Sequence, residues 1–489
     1  MDSAREKAVL DRTPKGLFIA GEWREAGAGT TFGVEDPATQ ETLAQVANGT
    51  SEDAIAALDA CEAAQEQWAA TPPRERGEIL RRTFELMNER ADDLALLMTL
   101  EMGKPLAESK AEVVYGAEFL RWFAEEAVRI DGRWSVNPNG SGRLLTMKQP
   151  VGPCLLITPW NFPIAMGTRK IGPAVAAGCT MVVKPAQLTP LSMLMLADLM
   201  REAGLPAGVL NVVPTSRAST VSGPLFEDSR LRKVSFTGST PVGQKLMEQA
   251  SRHVLRVSME LGGNAPYLVF EDADLDMAVE QALIAKMRNM GESCVAANRF
   301  HVHESVADEF AARLAQRMGA LAVGRGTEDG VQVGPLIDED QRAKVGELVD
   351  DAVGKGAKVL TGGERVGDRG YFYAPTVLAG ITDDATLLRE EIFGPVAPVK
   401  SFSTDVQAIE AANDSEYGLV AYVFTQNLSR AIRVIEGLEV GMVGLNRGIV
   451  SDPSTPFGGV KASGIGREGG HEGVLAFTEA KLIATEWTR

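Results

Sequence analysis

The chain has 489 residues, 45% hydrophobic and 24% charged, with 49 Lys and Arg against 66 Asp and Glu, a net charge of −17. Such a length exceeds one hydrophobic core and implies two or more domains; the acidic balance argues against nucleic-acid partners and anionic membranes, which need basic patches. No apolar run approaches the roughly 20 residues of a membrane span, and four scattered cysteines (Cys61, Cys154, Cys179, Cys294) without a CxxC argue against a disulfide framework or zinc site and fit a reducing cytoplasm.

Residues 1–16 are polar and expected to be loose, and the first seven lack the apolar centre of a secretory signal. Phe18 to Trp23 reads as a short strand and turn. Ser51 is the expected cap of a helix running to about Trp68, with Glu52 and Asp53 in its first turn. Thr71-Pro72-Pro73 opens the next helix, because proline is tolerated at the first helical position. Helices then dominate to about Ile130. Turns at Asp131-Gly132 and around Asn137–Gly142 flank Arg143 to Lys148, which predicts a β-hairpin arm leaving the body.

From 151 onward the pattern alternates. Strands are expected at 152–158, 180–184, 209–213, 232–236, 254–259 and 267–270, and helices at 166–178, 189–203 and 242–253. Continuous apolar strands between amphipathic helices imply a parallel sheet covered on both faces. A second α/β series follows, with helices at 273–288, 305–318, 340–354, 406–413 and 428–437 and strands at 358–360 and 397–402. Leu482 to Trp487 looks like a last strand that pairs outside its own core. The four histidines form no triad or metal cluster; His301 and His303 share a strand face.

Several loops carry chemistry. Phe236-Thr237-Gly238-Ser239-Thr240-Pro241-Val242-Gly243 takes a strand into a helix through a tight turn suited to a phosphate. Its spacing copies a P-loop, but Gln244 replaces the lysine that an NTP hydrolase needs. Lys184 ends a buried strand, at the sheet edge where α/β ligands bind. Asn161, between aromatics and prolines, offers an amide donor. Glu260, before Gly262-Gly263, is a candidate base if burial raises its pKa. Cys294, after Gly291, is a candidate nucleophile.

In this order, PWNFP (159–163), KPAQLTP (184–190), FTGSTPVG (236–243), ELGGNAP (260–266), GESCVAANR (291–299), EEIFGPV (390–396) and PFGGVKASGIGRE (456–468) resemble the aldehyde dehydrogenase superfamily from Phe18 to Lys481. The resemblance implies an α/β fold: a Rossmann-like parallel-sheet NAD(P)-binding domain (10–130 and 151–262), an α/β catalytic domain (263–462), and a β-arm for oligomerisation (131–150 with 463–489). It implies that Cys294 attacks the aldehyde and that Asn161 and the Cys294 N–H hold the oxyanion, an effect of about 3–4 kcal/mol. The thiohemiacetal then gives hydride to the nicotinamide, and Glu260 activates the water that hydrolyses the thioester. Lys170 and Glu479 take the supporting proton-relay positions. Thr158, Pro159, Trp160, Lys184, Ala186, Gln187, Arg217, Gly238, Ser239, Gly243, Leu261, Glu391 and Phe393 fall on the cofactor side, with Lys184 and Glu391 at the riboses, Ser239 at the pyrophosphate and Phe393 by the nicotinamide. No metal is implied.

Departures from the family pattern sharpen the reading. Glu292 stands where Gln is common; it either raises the thiol pKa or points away. NAD-preferring members usually carry Glu at the place of Gln187; neutral Gln does not repel a 2′-phosphate, and Arg217 could pair with one, so NADP is expected to be used and preferred over NAD. Ala296, where some relatives have a second cysteine, removes a local redox switch. Arg169, eight residues after Asn161, Arg288, six before Cys294, and Ser451 are similar to the carboxylate-binding trio of succinate-semialdehyde dehydrogenases; Phe162 and Phe457 complete that pocket. The expected substrate is therefore a small aldehyde with a carboxylate tail. Glutarate or 2-oxoglutarate semialdehyde would keep similar cations, and betaine or aliphatic aldehydes are the runners-up. The arm implies a homodimer or homotetramer.

Overall fold

The computed structural model describes residues 3–486, so Trp487 of the expected last strand lies outside them. The first residues, expected to be loose, form helix α1 (Ser3–Arg12). Val9 is fully buried, Arg12 pairs with Asp93 at 2.9 Å and Arg325 holds Glu6 at 3.0 Å, so a polar segment is fixed by one apolar contact and ion pairs. Strands β1 (Leu17–Ile19) and β2 (Glu22–Arg24) follow, then a hairpin of β3 (Thr31–Asp36) and β4 (Glu41–Ala47). Helix α2 (Ser51–Ala70) is capped by Thr50, not Ser51. The Asp53 N–H donates to Thr50 Oγ1 at 3.2 Å and the Thr50 N–H to Asp53 Oδ2 at 3.0 Å, a reciprocal box that Ser51 cannot make. Helices α3 (Pro73–Glu89), α4 (Ala91–Met102) and α5 (Leu106–Glu126) complete the helical stretch.

After the arm strands β5 (Arg133–Val136) and β6 (Gly142–Pro150), the chain alternates. Strands β7 (Cys154–Ile157), β8 (Met181–Lys184), β9 (Leu210–Val212), β10 (Lys233–Thr237) and β11 (Arg256–Glu260) are separated by α6 (Ala165–Ala177), α7 (Leu191–Glu202), α8 (Ala218–Glu227) and α9 (Thr240–Ser251). The five strands pair in parallel in the order β9-β8-β7-β10-β11. Burial of whole strands such as β7 and β8 explains why they read as unbroken apolar runs.

The second sheet follows the order β14-β15-β16-β13-β12-β18-β19. It comprises β12 (Ala265–Val269), β13 (Ala297–His303), β14 (Lys358–Thr361), β15 (Thr376–Ala379), β16 (Val396–Phe402), β18 (Val420–Phe424) and β19 (Met442–Leu445), with a short β17 (Tyr417–Gly418) beside β20 (Val460–Lys461). Helices α10 (Leu275–Met287), α11 (Ala307–Gly319), α12 (Glu339–Gly354), α13 (Asp405–Asn413) and α14 (Leu428–Gly437) match the expected helices to within two residues at each end.

One expected boundary moves. Residues 463–489 are expected in the arm, but β21 (Gly464–Ile465) pairs with β11 and α15 (Gly470–Leu475) packs on α5 and α6. Glycine at 464 permits this, since a Cβ there would lie 1.9 Å from the Met259 carbonyl oxygen. The chain therefore closes the first sheet, and the arm begins at β22 (Thr478–Glu486), which pairs with β6 from Thr478↔Pro150 to Glu486↔Gly142. No helix among the described residues is long and apolar enough to cross a membrane.

Candidate active site

Strands β7, β10 and β11 end at one cleft, whose empty volume out to its mouth is about 960 Å³. Its wall carries Pro159 to Phe162, Thr237 to Ser239, Leu261, Gly262, Ser293 to Val295, Glu391 and Phe393. Arg169, Arg288, Ser451 and Phe457 line it too. Ligand cavities of this size at the carboxyl edge of an α/β sheet are the expected place for chemistry.

The segment before Cys294 is held in an uncommon backbone path. Asn289, Met290 and Gly291 have φ values of +57°, +55° and +80°, all left-handed, a conformation that side chains other than glycine adopt at a cost. A Cβ on Gly291 would sit 2.2 Å from the Gly394 carbonyl oxygen, so glycine is what lets this turn touch the loop carrying Glu391 and Phe393. The fully buried Lys286 ties the same parts, donating to Asn298 Oδ1 at 2.8 Å and Gly394 O at 3.1 Å. The Glu292 carbonyl accepts from Asn161 Nδ2 at 3.0 Å and Asn289 Nδ2 at 2.9 Å. Lys104, paired with Glu112 at 2.5 Å, donates to the Asn161 carbonyl at 2.8 Å. With one amide hydrogen on Glu292 O, Asn161 keeps a second for a ligand.

Cys294 is part-exposed at the cleft. Burial pushes its thiol up to about 12; the charge of Glu391 adds to this and Arg169 opposes it. The free protein therefore holds a thiol, not a thiolate. Glu292 points away from the cleft: it is fully buried and its Oε1 accepts from the Ile337 N–H at 3.0 Å. Burial holds this carboxyl well above the usual carboxylate range, so it acts as a neutral brace beneath the loop.

Glu260 ends β11, buried, and its Oε2 has no hydrogen-bond partner among the described residues. Burial raises this carboxyl well above its usual range; Glu468 adds to that, and Lys170 and Arg169 oppose it. Here one expectation fails. Glu479 lies exposed on β22, paired with Arg256 at 3.0 Å. Lys170 instead contacts Glu468, the last residue of the 456–468 motif, and donates to Ser235 Oγ at 3.0 Å. The turn from β21 into the Phe457–Glu468 bridge carries Glu468 inward, whereas β22 carries Glu479 out along the arm.

On the other side, Ser239 precedes α9 without making a side-chain cap bond, which leaves the helix N–H groups open to a phosphate. Thr237 Oγ1 is buried with no partner among the described residues. Gly243 lets α9 approach closely, since a Cβ there would meet Leu261 at 2.4 Å. Among the described residues Lys184 Nζ bonds only its neighbour's carbonyl, Pro185 O, at 3.0 Å, and burial lowers its pKa to about 8. Glu391 accepts from the Gly263 N–H at 3.1 Å, and burial raises it to about 7. Phe393 meets Trp160 edge-on, centroids 5.4 Å apart. An open helix end, an orphaned hydroxyl and a half-engaged lysine fit a dinucleotide.

Thr158 is buried behind this wall, Ala186 is half-exposed, and Gln187 and Arg217 are exposed; none of the four, nor Lys184 or Gly243, lines the cleft itself. Two residues that sequence reasoning missed do line it. Gln341 donates to Ile392 O at 3.1 Å and Phe393 O at 2.8 Å, and Lys344 donates to Glu391 O at 2.7 Å. Both lie on α12, in no motif, far in sequence from the loop they hold.

The opposite end of the cleft is cationic. Arg169, fully buried, contacts the Tyr115 hydroxyl, donates to Ser451 Oγ at 3.2 Å and lies 4.1 Å over the Phe457 ring. Arg288 faces the rings of Phe162 at 4.9 Å and Tyr115 at 5.4 Å. Tyr115, a third omission, also contacts Ser451; nothing in its helical surroundings marked it. Among the described residues no cluster of His, Cys, Asp and Glu is placed to hold a metal ion.

The aldehyde dehydrogenase family model matches residues 23–483. A succinate-semialdehyde dehydrogenase of Paenarthrobacter nicotinovorans is 63% identical over 441 residues, covering 90% of this chain and 98% of that protein. A glutarate-semialdehyde dehydrogenase of Pseudomonas putida is 50% identical over 466 residues, 95% of this chain and 96% of that protein. Among solved structures, an NADP-dependent enzyme of E. coli superposes with a TM-score of 0.96 at 49% identity, covering 98% of this chain and 99% of that one.

Two outcomes follow from the geometry. Gly291→Ala forces a Cβ into Gly394 and a side chain into the left-handed region; it should lower stability by about 2–3 kcal/mol, read from the urea midpoint, and an unchanged midpoint would contradict the close contact. Alkylation of Cys294 by iodoacetamide in the free protein should rise roughly tenfold per pH unit from about pH 7 to pH 10, because only the thiolate reacts; a plateau below pH 9 would show a thiol less buried than described.

Proposed function

The chain belongs to the aldehyde dehydrogenase family, and we propose that it oxidises succinate semialdehyde to succinate, with NADP as the preferred cofactor. It is an NAD(P)-dependent oxidoreductase of small aldehydes. The observation that carries the substrate assignment is the convergence of Arg169, Arg288, Ser451 and Tyr115 on the cleft wall that also holds Cys294, in a chain whose net charge of −17 would otherwise repel an anionic tail. Arginine suits bidentate capture of a carboxylate.

In this reading the arginines hold the carboxylate while the aldehyde carbon meets Cys294 Sγ. The Cys294 thiol loses its proton to water in the open cleft, where the residue is part-exposed, as the sulfur bonds to carbon, and the carbonyl oxygen takes the negative charge between the Cys294 N–H and the free Asn161 amide hydrogen. A dinucleotide held on the other side of the cleft would supply the acceptor for the hydride lost from the carbon that Cys294 holds. Glu260, kept basic enough by its burial, takes a proton from water as the oxygen attacks the thioester, and Cys294 leaves as thiolate. Glu468 and Lys170 lie next to Glu260 and carry that proton on. Lys184 and Glu391 would hold the riboses of a bound dinucleotide, Ser239 and Gly238 its pyrophosphate, and Phe393 would lie on the nicotinamide side. Neutral Gln187 and Arg217 favour a 2′-phosphate. We also read residues 10–130 with 151–262 as the cofactor domain and 263–462 as the catalytic domain. Trp134, Val136, Leu482 and Ile483, all exposed on the arm sheet, are taken as the dimer or tetramer contact of a cytoplasmic enzyme.

Arg288→Ala should raise KM for succinate semialdehyde by roughly 30- to 150-fold, the worth of a charged hydrogen bond of about 2–3 kcal/mol, and leave KM for butanal within about twofold; equal effects on both would sink the assignment. NADP should give a higher kcat/KM than NAD with the same aldehyde, and a clear advantage for NAD would contradict the role given to Gln187.

A further inference from the structure

A cavity separate from the cleft opens on the second sheet, beside α13, with an empty volume of about 820 Å³ out to solvent. Arg299 and His301 on β13, Lys400 on β16 and Arg389 line it, and it shares no lining residue with the catalytic cleft. His301 and Lys400 are register partners on neighbouring parallel strands. Arg299 stands two residues before His301, so strand alternation puts all three on one face.

Two of these groups are buried without a matching partner. Arg299 is 3% exposed. Its three nitrogens donate only to backbone carbonyls, Asn264 O at 2.9 Å and Ala411 O and Ala412 O at 2.8 Å. Among the described residues no carboxylate pairs with it. A guanidinium carries five N–H groups, so two remain, one on each terminal nitrogen. His301 is 4% exposed and makes no hydrogen bond among the described residues. Burial, together with the charges of Arg299 and Lys400, lowers its pKa to about 3, so the ring is neutral and keeps one N–H to donate. The acids lining the cavity sit at its rim. Asp414 pairs with Arg389 at 2.9 Å, Asp383 pairs with Lys400, and Glu410 is exposed. A buried guanidinium with only neutral anchors is costly, and an anion offsets that cost.

We propose that this cavity binds a small oxyanion, a phosphate or a carboxylate, on the two free N–H groups of Arg299 and the ring N–H of His301, with Lys400 adding its charge from the rim. Paired guanidinium N–H groups suit two oxygens of one oxyanion. Donors withdrawn from water attract an anion more strongly than the same donors in solvent. In a chain of net charge −17, such a site has to be built locally, as this one is.

The test is isothermal titration of the NADP-loaded protein with inorganic phosphate and with acetate, against chloride at matched ionic strength. It compares the wild type with His301→Phe, Lys400→Met and Arg288→Ala. The wild type should take up one phosphate or one acetate per chain, and whichever anion binds names the source. Arg288→Ala, in the catalytic cleft, should keep that Kd within about twofold, whereas His301→Phe and Lys400→Met should each weaken it about tenfold or more. Both of these variants should keep kcat/KM for the aldehyde within about twofold. His301→Phe should also keep or raise the urea midpoint, because a buried polar group without a partner is replaced by an apolar ring; a loss of binding is then not a loss of fold. No saturable uptake of either anion, chloride binding as well as they do, or binding that either cavity variant leaves intact would overturn the site. Uptake abolished by Arg288→Ala would place the anion in the catalytic cleft and overturn it equally.

Discussion

The backbone carbonyl of Glu292 accepts two side-chain amides, Asn161 from the loop after β7 and Asn289 from the turn after α10. That shared acceptor joins a loop of the first sheet to the nucleophile segment of the second, two residues from Cys294. Asn289 also donates to the Asn161 carbonyl at 3.0 Å, where Lys104 donates as well. Glu112, the partner of Lys104, accepts the Ile164 and Ala165 N–H groups at 3.0 and 3.2 Å and so orients the start of α6, the helix that carries Arg169 and Lys170. A buried ion pair is weak evidence for stability; here its use is positional, since removing either partner strands a charge beneath Asn161. Donors held before the substrate arrives need no reorganisation in the transition state.

Burial also sets the charge state of the site. The thiol of Cys294 and the carboxyls of Glu260 and Glu391 are raised, and the amines of Lys184 and Lys286 are lowered. Each group moves toward its neutral form, which is what desolvation dictates. Arg169 and Arg288 both line the cleft, so positive charge is concentrated at that end of it.

Much of this was legible from residues alone. Unbroken apolar strands announced the parallel sheets, the family resemblance carried by seven motifs pointed to Cys294, Asn161 and Glu260, and a likeness to a carboxylate-binding trio outside those motifs pointed to Arg169, Arg288 and Ser451. What was lost has physical causes. Helix α1 depends on ion pairs to Asp93 and Arg325, contacts that no local pattern encodes. Glu468 and Glu479 are separated by the turn of chain that sends β21 back along β11 and β22 outward, a long-range pairing invisible to spacing. The orientation of Glu292 depends on three left-handed residues before it, two of them not glycine. Tyr115, Gln341 and Lys344 act as single side chains on helices, without a motif to mark them.

The most direct test is to trap the acyl group. Glu260→Gln protein, mixed with NADP and succinate semialdehyde, is quenched in acid and its intact and peptide masses are measured alongside NADPH absorbance. The expected result is a succinyl increment on the Cys294 peptide, with close to one NADPH released per chain and little further turnover. Continued turnover at the wild-type rate with no adduct, or an adduct on another residue, would contradict a mechanism in which Cys294 carries the acyl group and Glu260 releases it.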